Sequence, residues 1–442
     1  MPLRRWTALD EERRWRIVAV GGALLVVATV RLLELATSHP RAFFDTAEYR
    51  AQSMRPLLSS AFWAGDKPPV IPLLLKAVDH SNRWFVVLAT VCAVLAWVLL
   101  AVQVARLLTN RAACVIALGG LVVVALSPPL NMWDSTVLSE SLSVSVGVAL
   151  VAAVLALLAR PWSWWRAGTA VLAGVAWGLT RDTNAQVLLV LAIGLAVAVA
   201  VRRLSARWLV VALALVAVFG LAQWSQEQGH RWQFPFDDVV AFRVLSHSPE
   251  RGFFVRHGMP VTSALLARQS HDAASGAFAF SRDPALASYR RWRDERGRTT
   301  YLAWLLTRPG STIKDSLFHV PAITTQDRSD YLPAGYHPTL RGALADLVPH
   351  TRLGAAVSFV AAVILSALAM ARRRTTPLLT VGIVLLALAI PHALVVWNGD
   401  GFEFIRHGVG LDMQFRLAVV FIVAGSIPGV IGLRERLQRE QA

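Results

Sequence analysis

Long apolar stretches recur along these 442 residues and exclude most of what a chain of this length could otherwise become. Segments 17–35, 84–108, 137–158 and 208–224 each approach the roughly 20 apolar residues that a membrane-spanning helix needs. A water-soluble fold could not hide them all. The chain is 55% hydrophobic with a mean hydropathy of +0.50, far above the globular norm. No repeat, low-complexity tract or strand-rich region accompanies these segments, so the expected fold class is an all-α polytopic membrane protein.

Ten apolar segments can be marked, near 17–35, 84–108, 112–130, 135–158, 168–180, 185–201, 208–224, 354–370, 376–397 and 415–432. The first follows a basic run, Arg4 to Arg16, but is longer than a signal-peptide core and lacks a convincing cleavage site, so it reads as an uncleaved span. With the amino terminus in the cytoplasm, every short loop on that side is basic, including Arg106 with Arg111, Arg202 to Arg207 and Arg434 to Arg439. The positive-inside rule then sets both termini in the cytoplasm. The formal charge of +16 could suggest nucleic acid in a soluble protein; here the topology accounts for most of it, and no nucleic-acid partner is expected. Only Lys67, Lys76 and Lys314 among the 44 basic residues are lysine. Cys92 and Cys114 lie inside apolar segments and suggest neither a disulfide nor a metal site.

Three regions fall outside: 36–83, 225–353 and 398–414. The organisation expected is therefore an amino-terminal membrane module, 1–224, carrying the first outer loop at 36–83. A large, mostly helical extracytoplasmic loop at 225–353 and a carboxy-terminal membrane module at 354–442 follow. Within the long loop, 284–306 reads as one helix, and its seven histidines show no metal-ligand spacing. Segment 168–201 must cross twice in 34 residues, which leaves its helices short and draws the turn at Arg181 to Asn184 into a polar cavity.

The polar residues of these outer regions are the candidates for chemistry. In a helix, Asp45, Glu48 and Tyr49 share one face. A general base needs such a group within reach of the proton it takes, and apolar neighbours such as Phe43 and Phe44 can raise its pKa by desolvation. Alone, such a group is more often a solvated loop helix. Lys67, before Pro68 and Pro69 and a short apolar run, stands at a helix amino terminus, where cation and backbone N–H groups make an anion site. Glu140 at the outer end of a span is costly unless paired, with Arg181 and Arg406 as candidate partners. Asp400, Glu403, Arg406 and His407 add a cluster at the membrane surface, as readily a snorkelling group as a functional one.

Together, Asp45 with Glu48-Tyr49, Lys67-Pro68-Pro69, Ser139-Glu140-Ser141, Gly178-Leu179-Thr180-Arg181 and the late Gly399-Asp400 through Arg406-His407 resemble the GT-C superfamily of glycosyltransferases. The likeness is to bacterial members of the protein O-mannosyltransferase and aminoarabinose transferase type. It covers roughly residues 10–190 and, more loosely, the last 60; relatives often carry proline where this chain has Asp182. The resemblance implies a bacterial plasma-membrane enzyme with an extracytoplasmic active site. It would transfer a sugar from a polyprenyl-phosphate donor, with inversion, to an acceptor hydroxyl on a protein, lipid or polysaccharide. By position Asp45 takes the family's catalytic aspartate role and Lys67 the phosphate-contacting role; beside them Glu48 is expected to serve catalysis, and Arg181, Arg406 and His407 to hold the donor phosphate. Tyr49, Glu140, Asp400 and Glu403 position substrate. No cofactor is required by these residues, and a divalent cation near Glu48 and Glu140 stays open. The alternatives are a transporter or flippase of a lipid-linked or small polar substrate, which broken helices and buried charges would also serve, and an inactive scaffold.

Overall fold

The computed structural model describes residues 2–270, 279–325, 351–371, 376–401 and 403–441. These residues are helical almost throughout; the described β structure is one isolated bridge, Arg41 with Thr136. The helices that frame the molecule are α1 (Pro2–Thr37), α2 (Phe44–Ser53), α3 (Val70–Ala77), α4 (Asn82–Leu107), α5 (Arg111–Leu126), α6 (Glu140–Leu158), α7 (Trp164–Gly178), α8 (Asp182–Ala200) and α9 (Trp208–Gln228). After them come α10 (Gln233–Val239), α11 (Arg298–Thr307), α12 (Pro309–Thr325), α13 (Arg352–Ala371), α14 (Pro377–Gly399), α15 (Phe404–His407) and α16 (Val409–Gln441).

Among the described residues eight helices are long and apolar enough to cross a membrane: α4, α6, α8, α9, α13, α14 and the apolar parts of α1 and α16. Two of the ten expected segments differ. Segment 112–130 is cut at Ser127-Pro128-Pro129, where proline cannot continue the hydrogen-bond ladder; α5 and residues Pro128–Ser135 meet at a 56° bend and make at most one further span. Segment 168–180 lies in α7, which has 15 residues and is only about 22 Å long. The shortness anticipated for 168–201 thus falls on α7 alone.

One large apolar core joins α1, α4, α5, α6 and α16 through Val27, Leu100, Leu121, Val148 and Phe421. A second joins α6 to α9 through Leu150, Trp177, Leu188 and Leu215. Small residues let these helices approach closely, as helix pairs in lipid require. A Cβ on Gly174 would lie 2.8 Å from Leu215, and one on Gly382 would lie 2.9 Å from Ile422. The segment after α9 has its own aromatic core, with Phe236, Phe254, Tyr289 and Trp292 at its centre. Its 284–307 stretch is one helical rod as expected, but it opens as a 3₁₀ turn and widens to a π turn at Arg293–Gly297.

Three connections bring the loops to one end of the bundle. Arg41 pairs its backbone with Ser135 and Val137 at 2.9 Å each. The Thr46 hydroxyl accepts from the Phe43 amide and donates to the Val137 carbonyl, both at 2.9 Å, which fixes the start of α2 above the start of α6. Arg31 of α1 forms a buried ion pair with Asp134, whose other oxygen accepts from Ser141 at 2.6 Å.

Candidate functional site

Helix α2 presents Asp45, Glu48 and Tyr49 together, as their spacing requires; Asp45 and Tyr49 are buried and Glu48 is partly exposed. One turn further on, Gln52 does what the sequence reading missed. Its amide donates to the carbonyls of Phe62 and Lys67 and accepts from the Lys67 N–H, each at 2.8 Å. That clamp fixes the backbone of Lys67 opposite α2. The Lys67 ammonium lies 2.5 Å from Asp45 Oδ1 and 2.8 Å from Glu48 Oε2. Lys67 does precede a helix, α3, yet its charge turns back to the carboxylates of α2.

The other oxygen of Asp45 is held by Arg406. This guanidinium, buried on the single-turn helix α15, bonds Asp45 Oδ2 through Nη2, Glu140 Oε1 through Nε at 2.5 Å, and Glu403 through Nη1 at 3.1 Å. Glu140, the first residue of α6, is wholly buried, and Arg181 Nη1 stands 3.2 Å from the same Oε1. Both candidate partners of Glu140 are therefore present at once. Asp400 accepts from the Glu403 amide at 2.8 Å and lies 3.3 Å from His407 Nδ1. Gly401 is required here, because a Cβ would collide with the Asp238 backbone.

These groups surround a cavity of about 620 Å³. Asp45, Glu48, Tyr49, Lys67, Arg181, Asp400, Glu403, Arg406 and His407 all line it, and Glu140 lies behind Arg181 and Arg406. Residues from four separated stretches of chain thus converge on one space. The far wall comes from the segment after α9, with Trp232, Phe236, Arg298 and Tyr301. Arg231 fastens that wall to α8. It meets Asp182 in a fork at 2.8 and 2.9 Å and donates to the Gly65 carbonyl at 3.0 Å. Nothing in its spacing distinguishes Arg231 from the many other arginines, so only the fold reveals it.

The electrostatics reverse one expectation. Burial does push the Asp45 carboxyl upward, but Arg406 and Lys67 together outweigh it and hold the group well below the usual carboxylate range. Phe44 flanks Asp45, but it stacks beneath Arg406 and does not isolate the acid from charge. Burial and the Asp45 charge raise the Tyr49 phenol to about 12. His407 is pushed well below its ordinary value by burial and by the charges of Arg181 and Arg406. Its contact with Asp400 at neutral pH is consequently one of a neutral imidazole.

Among the described residues no group of three or more His, Cys, Asp or Glu side chains is placed to hold a metal ion. The carboxylates of Asp45, Glu140 and Glu403 are instead directed at arginine and lysine. His271, His337 and His350 lie outside the described residues. Compared with protein-family models and with curated proteins, the chain matches none.

Proposed function

We infer that this protein is an integral membrane glycosyltransferase that moves a sugar from a polyprenyl-phosphate donor to an acceptor hydroxyl with inversion. The observation that carries the reading is Asp45, held between Lys67 and Arg406 at the wall of a cavity large enough for a sugar phosphate. A carboxylate and phosphate-sized cations side by side are what such a displacement needs. The active site faces the extracytoplasmic side of a bacterial plasma membrane, with both termini in the cytoplasm.

In the resting arrangement both oxygens of Asp45 are taken and its basicity is low. Donor binding changes the competition. The donor phosphate draws the Lys67 ammonium, which frees Asp45 Oδ1 to accept the acceptor hydroxyl's proton. As the acceptor's own oxygen, its proton passing to Asp45, bonds to the anomeric carbon, the carbon–oxygen bond to phosphate breaks and its electron pair remains on the phosphate. Lys67, with Arg181, stabilises the charge that develops there. Glu140 and Glu403 keep Arg406 in place.

The test is sugar transfer from a panel of radiolabelled polyprenyl-phosphate sugars by the full chain in nanodiscs, beside Asp45→Asn. Transfer that disappears in the variant supports the reading, and equal turnover by both sinks it. The buried charges of Glu140 and Arg181 at the cavity favour a second reading, transport, because ionisable groups within a helix bundle mark many transport pathways. Donor that crosses the bilayer equally well with both proteins, without transfer, selects transport.

A further inference from the structure

Residues 54–63, between α2 and Lys67, expose an unusual amount of apolar surface for a segment beside a polar cavity. Leu58 is 102% exposed, and Met54, Leu57 and Trp63 are exposed with it. Scattered apolar residues on a surface need no explanation, but four within ten positions of one loop do.

The height of this loop is fixed by α9. The Trp63 carbonyl accepts from Ser225 in the last turn of that helix, and a Cβ on Gly229 would collide with the Gly65 carbonyl. Helix α9 is one of those long and apolar enough to span, and it exposes Val210, Leu213, Leu221 and Trp224. The loop therefore sits at the end of a helix with an exposed apolar face, and the end of a spanning helix is the level where a bilayer gives way to headgroups. Trp63 and Trp224 are the residue type enriched at that boundary. Arg50 and Arg55 flank the exposed leucines; Arg50 is bonded to Asn82 and Arg55 to the Ala61 carbonyl and, at 3.4 Å, to the exposed Asp66, and long basic side chains of this kind reach to headgroup level from an apolar surface.

We propose that residues 54–63 are a membrane-inserted rim of the cavity, with Leu57 and Leu58 among the acyl chains of the adjoining leaflet and Trp63 and Arg55 at headgroup level. The occupant of this apolar surface is the bilayer itself. The inference goes beyond the transferase reading but bears on it: Asp66 and Lys67, a few residues further along the chain, line the cavity. A lipid-borne phosphate then reaches Lys67 laterally, without leaving the membrane.

The full chain, with Cys92 and Cys114 replaced by alanine, carries a nitroxide at Leu58→Cys in nanodiscs of phosphatidylcholine and phosphatidylglycerol. Relaxation by oxygen and by nickel–EDDA is compared with the same label at Leu221→Cys on α9 and at Leu266→Cys in the segment after it. Oxygen-dominated relaxation, as at Leu221, is expected; Leu57→Cys, as a second position, is expected to agree. Nickel-dominated relaxation at Leu58, as at Leu266, overturns the proposal. Protection from both reagents overturns it too, since another part of the chain or a second copy then covers the surface. Neither readout uses transfer activity, so failure of the transferase reading leaves this test intact.

Discussion

Arg406 grips Asp45 across 361 residues of sequence and, through a different nitrogen, holds Glu140 at 2.5 Å. One guanidinium thus joins α2, the start of α6 and the segment Asp400–His407. Arg406→Ala leaves Arg181 as the cation on Glu140 and Lys67 as the cation on Asp45. Removing one partner from a buried ion pair costs about 3–5 kcal/mol; the remaining cations set the expectation at the lower end, about 3 kcal/mol. Reversible unfolding in mixed micelles measures it, and a variant as stable as the wild type contradicts the linkage.

Asp45→Asn is expected to lower transfer by roughly two to four orders of magnitude, the usual contribution of a general base. Its effect on stability has a defined pH signature. The folded-state value of Asp45 lies below the unfolded value of about 3.9, so its ionised form stabilises the fold above that pH. The contribution is lost as pH falls from there toward the folded-state value. The melting gap between wild type and variant is therefore expected to stay constant from about pH 8 to 5 and to change only below about 4. A gap that changes between pH 7 and 5 means an elevated carboxyl and refutes the assignment of its charge partners.

Much of this site was legible because it obeys local rules. The helical face of Asp45, Glu48 and Tyr49 follows from 3.6-residue periodicity, and the cost of a lone carboxylate at a span end pointed Glu140 to Arg181 and Arg406. Two things were not legible. The net pKa direction of Asp45 depends on Arg406, far away in sequence, and on Lys67, so the upward push of burial that its apolar neighbours suggest is present but outweighed. The ten apolar segments and the eight helices long and apolar enough to span part company where apolar composition continues across a backbone break, at Ser127-Pro128-Pro129, and where α7 ends at Gly178, before Thr180 and Arg181. Gln52 and Arg231 carried no signal at all, because their role is set by which backbone carbonyls reach them.

Arg231→Gln removes the fork to Asp182 and the bond to Gly65 while keeping a polar side chain. Hydrogen bonds to charged groups contribute about 1.5–3 kcal/mol, so a loss of about 2 kcal/mol is expected. Because the fork ties the wall bearing Trp232 to α8, limited proteolysis after α9 should accelerate before the bundle unfolds. Arg231→Lys is expected to restore only part of this, since lysine cannot form the bidentate pair. Unchanged proteolysis in Arg231→Gln counts against a positioning role.

If the donor phosphate draws Lys67 away from Asp45, the base titrates differently before and after donor binds. The pH dependence of kcat/KM reports the free enzyme, and that of kcat reports the complex. In the free enzyme Lys67 and Arg406 hold Asp45 well below the carboxylate range, so kcat/KM should show no acidic limb from this group above about pH 4. In the complex Asp45 keeps Arg406 but shares Lys67 with phosphate, and burial, which acts upward, is less opposed. The acidic limb of kcat is therefore expected at higher pH than that of kcat/KM. In Lys67→Ala the separation should collapse, because free enzyme and complex then differ little at Asp45. Coincident limbs in the wild type mean that Lys67 stays on Asp45 throughout, and the phosphate must then be held by Arg181 without it.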